Sequence, residues 1–299
     1  MMLRRRLLIA GAGALCAPAV VRAQSVLQHR FPEHWRPYQV PRFRVHINRE
    51  HPLARDLITM VVPGSPHAWN DIGARTPPLA PRTNGGLVGS RGGPASRGDG
   101  ANPTGALSSA EPVALEITTG LTLGWYGWYG TAHGGNDTPI FGTTRSTGSL
   151  YLANIGTAAG ATNDIRALYG NGGSFVAATA SANMPLNQVN AIAASFPMGG
   201  ATGQFTLNGA LIGSFTNSGT PTYDTTTRLG MGANNFDATR IPNTRDLAGA
   251  VWGRVLSNDE LLWFTREPFA MLAPQSLDDR ALIGVVGGGG YMMMQSGAR

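Results

Sequence analysis

The sequence predicts an all-β domain, arranged as a sandwich or a barrel, and three observations support this. Of the 299 residues, 41 are Gly and 20 are Pro, whereas only 13% are charged, so the composition favours strands and turns over helices. From residue 113 onward, short apolar runs are separated by turn clusters at roughly 8–12-residue spacing, which is typical of sandwiches and barrels. Asn208-Gly209, between two such runs, favours the type I′ turn of a tight hairpin.

The first 23 residues have the character of an export signal. Arg4–Arg6 give a basic start, an apolar run follows from Leu7 to Val21, and Ala23 suits cleavage. The run is shorter than the ~20 residues of a membrane span. We therefore expect residues 1–23 to be a cleaved signal peptide similar to twin-arginine signals, with an uncleaved anchor as the alternative. The mature chain is then periplasmic or secreted, without a membrane span.

Charge and cysteine content exclude several kinds of function. All 23 basic residues are Arg, so no Lys nucleophile or Schiff base is available. Without the leader, 19 Arg stand against 17 acidic residues, and the Arg are scattered along the chain, which argues against nucleic-acid binding. The one cysteine, Cys16, lies in the leader, so the mature chain is expected to have neither a disulfide nor a cysteine nucleophile.

The mature chain is expected to begin with a polar, Pro-interrupted arm, residues 24–44. Arg42–Ile47 alternates basic and apolar residues, which indicates a strand with one solvated face. Residues 74–110 are rich in Gly, Pro and Arg. We predict long turns there, with short strands near Leu87-Val88 and Gly105–Leu107.

From residue 113 onward, strands are predicted wherever an apolar or alternating run is bounded by turn residues. The candidates are Val113–Ile117, Leu121–Tyr129, Ser149–Ile155, Asp164–Tyr169, Ser174–Ala180, Gln188–Phe196, Gln204–Leu207, Ala210–Phe215, Arg228–Met231 and Leu247–Val255.

One helix is predicted near the C-terminal end. Ser257 stands three residues before Glu260, a capping box that satisfies the first free amides of a helix, and Pro268 stops the helix soon afterward. Residues 273–299 form a tail rich in Gly and Met, which we expect to be flexible or to act as an assembly arm.

Three segments together resemble the laminin G-like domains of the concanavalin A-like lectin/glucanase superfamily, in the form common in bacterial and phage-encoded surface proteins. Ile47–Ile58 is similar to the first strand of that family, and Gly120–Trp128 is similar to its aromatic central strand. Leu247–Glu260 is similar to its last strand and the short helix that follows. Gln188–Phe196 and Gln204–Ile212 fit the consecutive strands between them.

The resemblance covers residues 45–272 and implies two curved antiparallel sheets in a jelly roll, one of them concave. It also implies binding of a carbohydrate or a cell-surface ligand. Where the family has a Gly-Asn-Gly region after the first strand, this chain has Arg75–Gly100, and no firm set of calcium ligands is evident. Calcium therefore stays open as a cofactor.

The patterns of the common hydrolases are absent from the sequence. A glycoside hydrolase on this fold needs two carboxylates about 5–9 Å apart, and no acid-x-acid pair occurs in a strand-like stretch. Glu116 has apolar neighbours but alternates outward from them. Neither a Gly-x-Ser-x-Gly elbow nor His-x-x-x-His zinc spacing occurs. We expect no enzyme activity, with a glycoside hydrolase or lyase as the least favoured alternative.

The first candidate binding group lies in the aromatic run Leu121–Tyr129. Strand alternation puts Trp125 and Tyr129 on one face and Tyr126 and Trp128 on the other. One pair should belong to the core, because aromatic side chains supply large buried areas. The other pair, taken as Tyr126 and Trp128, would offer a stacking platform for a sugar ring on the concave face.

The second candidate group lies in turns between the predicted strands. Its members are Asn136, Asp137, Asn163, Asp164, Asn234, Asn235 and Asp237. Loops on a rigid sandwich commonly carry binding residues, although Asn and Asp also occur in turns for conformational reasons alone. Convergence of two of these turns at one rim would favour binding.

Together these observations predict an exported, non-catalytic binding or adhesion module. The alternative is a structural or virion-associated protein that assembles, as a homo-oligomer or with a partner, through residues 24–44 and the tail 273–299. Neither nucleic acid nor a membrane is an expected partner.

Overall fold

Two antiparallel sheets packed face to face make up most of the structure. The computed structural model describes residues 40–41, 45–63, 79–81, 87–90, 93–99, 107–109, 120–130, 138–144, 153–158, 163–170, 175–216, 228–231 and 243–274. All of them belong to one unit of the chain, Pro37–Arg299. The arrangement is the predicted all-β jelly-roll sandwich with one short helix near its C-terminal end.

Within the described residues, the larger sheet has eight strands. Their spatial order is β4 Leu87–Ser90, β5 Gly93–Asp99, β16 Asn243–Trp252, β7 Gly120–Tyr129, β12 Gln188–Pro197, β13 Thr202–Leu207 and β14 Ala210–Thr216, and β2 Leu57–Val61 also pairs with β16. The strand β7 is therefore central, with β12 and β16 hydrogen-bonded to its two sides.

The smaller sheet has seven strands over the same described ranges. Their order is β3 Leu79–Pro81, β6 Leu107–Ser109, β15 Arg228–Met231, β8 Thr138–Thr144, β9 Ala153–Thr157, β10 Asp164–Gly170 and β11 Phe175–Asn183. A separate two-stranded ribbon pairs β1 Val45–Ile47 with β17 Leu272–Pro274.

The core lies between the two large sheets, because alternate residues of each strand face inward. Its members include Trp125, Phe141, Ile165 and Phe205, all fully buried. Burying large aromatic and aliphatic side chains in this way is the main stabilisation of a sandwich without disulfides.

The outer face of the larger sheet is partly covered by the helix α1, Asn258–Arg266. Its start confirms the predicted capping box, since the hydroxyl of Ser257 accepts from the amide of Glu260 and the carboxylate of Glu260 accepts from the amide of Ser257. Phe264 of α1 packs over Gly124, where a side chain would collide with its ring. Glycine at this position of β7 therefore lets the helix approach the sheet closely.

The hairpin between β13 and β14 also confirms its sequence prediction. Asn208 and Gly209 have φ angles of 49° and 80°, the left-handed conformations of a type I′ turn. The Asn208 side chain accepts from the amide of Ala191 and donates to the side chain of Asn190, which fastens the turn to β12.

Some predictions about individual elements were wrong. Ile47–Ile58 is not one strand, because it contains the end of β1, a one-turn 3₁₀ helix at Pro52–Ala54 and the start of β2. The strand β1 ends at Ile47, and a turn follows in which His51 N donates to Asn48 O. His51 then caps the short helix by accepting from the amide of Leu53.

Other predictions missed elements or placed their ends differently. Strands β2, β3, β5 and β8 were not predicted, and β16 begins four residues before the predicted start at Leu247. The predicted strand Val113–Ile117 lies outside the described residues, as do Glu116, the leader and nearly all of the predicted arm and tail.

Candidate functional site

The central strand β7 shows which aromatic pair belongs to the core. Trp125 and Tyr129 are fully buried and point toward the smaller sheet, whereas Tyr126 and Trp128 are partly exposed on the outer face. The predicted division of the four rings between two faces is therefore confirmed.

The two buried rings carry polar groups that are satisfied inside the core. The Trp125 Nε1 donates to Asp246 Oδ1 over 2.8 Å, and the Tyr129 hydroxyl lies 3.0 Å from Thr157 Oγ1 on the opposite sheet. Burial raises the pKa of Tyr129, and the hydrogen bond with Thr157 opposes that rise only partly. The phenol therefore stays neutral and acts as a polar link between the two sheets.

The two outward rings differ in their surroundings. Tyr126 packs edge-on against Phe269, just beyond α1, with the ring centroids 5.6 Å apart. Trp128 lies nearer the end of β7, where the Arg245 guanidinium carbon is 4.9 Å from its ring centroid. Tyr126 thus supports the segment after α1, and Trp128 is the better placed of the two for a ligand.

Trp128 is held by residues of two strand ends. An added Cβ at Gly130 would lie 2.7 Å from Cη2 and Cζ3 of Trp128 and 2.7 Å from Nδ2 of Asn243. The indole therefore lies directly beside the Gly130 backbone, on the side of β16. Arg245, paired with Trp128 in the register of the two strands, lies over the indole ring.

Hydrogen bonds between strand ends define one end of the sandwich, which we call the loop end. In the larger sheet, Gly130 N donates to Asn243 O over 2.8 Å, and Asn187 N donates to Tyr129 O over 2.7 Å. In the smaller sheet, Ala158 N donates to Asp164 O over 2.7 Å. The Tyr129–Thr157 contact joins the two sets across the core.

The described strand ends on either side of all three predicted Asn/Asp turns lie at the loop end. Residues 131–137 connect β7 to β8, residues 158–163 connect β9 to β10, and residues 232–242 connect β15 to β16. Thr138 pairs with Thr157, and Gly130 is bonded to Asn243, so the strand ends that flank these connections lie together. The convergence of the Asn/Asp turns themselves stays a prediction, because Asn136, Asp137, Asn234, Asn235 and Asp237 lie outside the described residues.

Asn163 and Asp164 are the turn residues that the structure does describe. Asn163 has a φ of 53°, a left-handed conformation that Asn tolerates, and its carbonyl accepts from Met184 N over 2.8 Å. Its side chain is buried, and its Oδ1 has no hydrogen-bond partner among the described residues. Asp164 beside it is partly exposed.

One orphaned oxygen is not sufficient for a calcium site, which takes six to eight oxygen ligands. Asn163 Oδ1 suits the ion, and Asp164 could add a carboxylate oxygen. Within the described ranges, however, no three His, Cys, Asp or Glu side chains cluster in a way that could hold a metal. These residues therefore fit calcium only in part.

Sequence reasoning missed Arg245 and Asp246, which the structure places beside the aromatic run. The register between β16 and β7 shifts between Asp246 and Ala248, so β16 does not keep strict alternation. The first residues of β16, Asn243–Asp246, are all polar, so the strand was predicted to start only at the apolar Leu247. Strand alternation over Thr244, Arg245 and Asp246 would have revealed the two residues, because it turns Arg245 to the face opposite the other two.

In the part of the chain that the structure describes, no helix is long and apolar enough to cross a membrane.

Comparison with known proteins identifies the fold and no family. No protein-family model matches the chain, and no curated protein matches it. Solved structures do match, at low sequence identity, so the likeness concerns the fold alone.

Three of these structures are binding domains or parts of secreted enzymes. The binding domain of Paraclostridial Mosquitocidal Protein 1 has a TM-score of 0.57 at 10% identity, over 73% of this chain and 53% of that one. Domain 4 of AbnA has a TM-score of 0.52 at 13% identity, over 70% of this chain and 98% of that one. AbnA is a GH43 extracellular arabinanase from Geobacillus stearothermophilus, and the structure of its domain 4 is in complex with arabinotriose. The binding domain of Botulinum neurotoxin DC, in complex with rat synaptotagmin II, has a TM-score of 0.54 at 10% identity, over 71% and 51%.

An enzyme is also among the similar structures. The Trypanosoma rangeli sialidase has a TM-score of 0.53 at 14% identity, over 84% of this chain and 38% of that one. The chain thus spans about half of the toxin binding domains and a smaller share of the sialidase. What the chain shares with these structures is the β-sandwich fold.

Proposed function

We propose that this chain is an exported, non-catalytic binding module of the laminin G-like type, and that its loop end recognises a carbohydrate or another cell-surface ligand. The observation that carries the proposal is the position of Trp128. Its partly exposed indole lies at the loop end under the exposed side chain of Arg245. An aromatic face beside a hydrogen-bonding cation offers an apolar surface and polar contacts to one ligand.

The rigid framework around Trp128 supports the same proposal. Binding groups work best when the scaffold beneath them is fixed, because less conformational freedom is then lost on binding. The strand ends at the loop end are bonded to one another, and the two sheets are joined there by Tyr129 and Thr157. The described strand ends on either side of the three connections that contain the Asn and Asp candidates belong to this framework.

The similar structures give a second, weaker line of support. One is described in complex with arabinotriose and another in complex with rat synaptotagmin II, so this sandwich type occurs in complexes with a sugar and with a protein. Because one fold serves many functions, the weight of the proposal rests on the site rather than on the fold.

Calcium enters the proposal as an auxiliary ligand at Asn163 and Asp164. The orphaned Asn163 Oδ1 supports this position, and the neighbouring carboxylate would add charge. A calcium-dependent rise in melting temperature that Asn163→Ala removes would support it, whereas identical melting curves in calcium and in chelator would exclude it.

A glycan array probed with the purified chain, in calcium and in chelator, tests the proposed function. We expect selective binding to a defined group of glycans, and we expect Trp128→Ala to abolish it. Trp263→Ala is the matched control, because Trp263 is 38% exposed but lies on α1, away from the strand ends of the loop end. Absence of selective binding would contradict the proposal and favour the assembly role.

A further inference from the structure

We propose that Asn208 is a deamidation site that α1 holds unreactive, and that it is modified only in molecules whose β13–β14 turn has left the helix. Asn208 and Gly209 are the two central residues of that turn. Asn is a thermolabile residue, and a following Gly makes its side chain most prone to this reaction. The site is separate from the proposed function, since it involves neither Trp128 nor the Asn/Asp turns.

Deamidation of an Asn-Gly pair is a reaction within the chain. The backbone nitrogen of Gly209 loses its proton and bonds to Cγ of Asn208, and the bond between Cγ and Nδ2 breaks. The side-chain nitrogen takes up the proton and leaves as ammonia. Water then opens the five-membered imide, which gives an aspartate or an isoaspartate. Glycine favours the ring closure, because it has no Cβ to obstruct the approach of its nitrogen.

The attacking nitrogen is bonded to the end of α1. Gly209 N donates to Thr265 Oγ1 over 3.2 Å, and the guanidinium of Arg266 donates to Gly209 O over 3.1 Å. The buried hydroxyl of Thr265 itself donates to Leu261 O over 2.9 Å. Because its proton is directed into the helix, a lone pair of Oγ1 is left to accept from Gly209. The helix therefore holds the proton that the reaction has to remove.

The side chain of Asn208 is held from the other direction, by β12. Its Oδ1 accepts from Ala191 N over 2.8 Å, and its Nδ2 donates to Asn190 Oδ1 over 3.0 Å. The backbone of Asn208 is left-handed, with a φ of 49°. A five-membered ring needs Cβ of Asn208 and N of Gly209 nearly eclipsed about the Cα–C bond, whereas the type I′ turn holds them nearly opposite. The ring can therefore close only after the turn has opened.

The product does not fit the place that Asn208 occupies. Asn190 is buried, and its Nδ2 donates to Pro185 O and to Gln188 O, so its Oδ1 is the atom that faces position 208. A carboxylate has no proton to give to that oxygen, so two acceptors would face each other. Reversing the Asn190 amide would break its two other hydrogen bonds. Deamidation thus weakens the attachment of the hairpin to β12.

Peptide mapping by mass spectrometry measures the deamidation rate of Asn208 in the full chain at mildly alkaline pH. We expect a rate at least about fivefold lower in the folded protein than in the urea-unfolded chain. Thr265→Val removes the acceptor but keeps the shape of the side chain, and should raise the rate about fivefold, the effect of one lost hydrogen bond on local opening. Thr265→Ser keeps the hydroxyl and should stay close to the wild-type rate. Equal rates for Thr265→Val and wild type would overturn the role of α1.

Asp246→Ala distinguishes local opening of the turn from unfolding of the whole chain. It removes the buried acceptor of Trp125 and leaves the contacts of the turn in place. Its loss of stability is expected to equal or exceed that of Thr265→Val, because it leaves a buried donor without a partner. We therefore expect Thr265→Val to accelerate deamidation of Asn208 more than Asp246→Ala does. Equal acceleration would mean that the reaction proceeds through global unfolding, and would overturn the proposal.

Asn208→Asp reproduces the aspartate product and tests its effect on the hairpin. Asn187→Asp is the matched control, because Asn187 also has a left-handed backbone, with a φ of 57°, but is exposed. We expect Asn208→Asp to lower the folding equilibrium constant about fivefold or more, and Asn187→Asp to leave it close to that of the wild type. Equal stability of the two variants in urea unfolding would overturn the effect assigned to the modification.

Discussion

The indole of Trp125 and the carboxylate of Asp246 form a hydrogen bond of 2.8 Å, and both side chains are fully buried. They lie on β7 and β16, the same two strands that carry Trp128 and Arg245 on the opposite face. A buried carboxylate is costly unless its oxygens are bonded, so this contact helps to fix the register of the two strands. The contact between Trp128 and Arg245 on the outer face depends on the same register.

The first prediction concerns the stability of this buried pair. Asp246→Ala leaves the Trp125 N–H without its acceptor in the core, and we expect the free energy of unfolding to fall by about 1–3 kcal/mol. Asp246→Asn keeps an amide oxygen for the indole and should lose less. Urea unfolding of the three proteins measures the difference, and an unchanged midpoint for Asp246→Ala would contradict the role given to the pair.

The second prediction concerns the contact of α1 with β7. Gly124→Ala places a methyl group against the ring of Phe264, so the helix must shift, and we expect a loss of about 1–3 kcal/mol. The loss should be much smaller in a chain that already carries Phe264→Leu, because the ring edge is then gone. Thermal unfolding of the double-mutant cycle checks this, and simple additivity of the two losses would contradict it.

The third prediction concerns the pH dependence set by Glu260. Its carboxylate accepts two hydrogen bonds of 2.7 Å from Arg254, and these are the main reason that the pKa of Glu260 is lowered to about 2, whereas burial opposes the shift. The folded pKa lies below the ordinary value of 4.5, so the charged form stabilises the fold above pH 4.5. This stabilisation is lost as pH falls from about 4.5 toward 2.

Two variants isolate the contribution of Glu260. Glu260→Gln should reduce stability at pH 7 by an amount on the order of 1 kcal/mol, since the pair is partly exposed, and should flatten the acid dependence. Arg254→Gln should return the pKa of Glu260 toward its usual range. Chemical denaturation between pH 7 and pH 2.5 gives both results, and parallel curves for the wild type and Glu260→Gln would refute the assignment.

The fourth prediction compares two glycines that share a left-handed backbone. Gly209 has a φ of 80° and lies against Arg266, whereas Gly199 has a φ of 69° and nothing within 4 Å of an added Cβ. Gly199→Ala should cost about 1 kcal/mol, the strain of the left-handed conformation. Gly209→Ala should cost more, because Arg266 must also move. Thermal unfolding measures the two losses of stability, and equal losses for the two variants would contradict a role for the contact between Gly209 and Arg266.

The sequence was sufficient for the features that depend on local patterns. Three such features were predicted correctly, and each depends on residues that are close in the sequence. They are the alternation of Leu121–Tyr129, the Asn208-Gly209 turn and the Ser257–Glu260 capping box. The all-β sandwich followed from the spacing of such runs. Because these patterns involve only a few neighbouring residues, a single sequence is sufficient to predict the structures that they form.

The features that the sequence did not reveal depend on contacts between distant segments. Strand β8 begins with Thr138 and Pro139 and has an irregular register with β9 at Pro139–Phe141, which hides its alternation. Arg245 is recognised as a candidate binding residue only because it pairs with Trp128, which lies more than a hundred residues earlier in the chain. The separation of its charge from that of Asp246 is ordinary strand alternation, but a strand had been predicted only from Leu247 onward.

Hydrogen–deuterium exchange with and without a glycan selected on the array tests the central claim most directly. The account predicts slower exchange in the peptides that cover Tyr126–Gly130 and Asn243–Asp246 and in the connections that adjoin them, with α1 unchanged. The Trp128→Ala protein should show no such change at the same glycan concentration. Slower exchange confined to α1 or to the β13–β14 hairpin would place the ligand elsewhere and contradict the account.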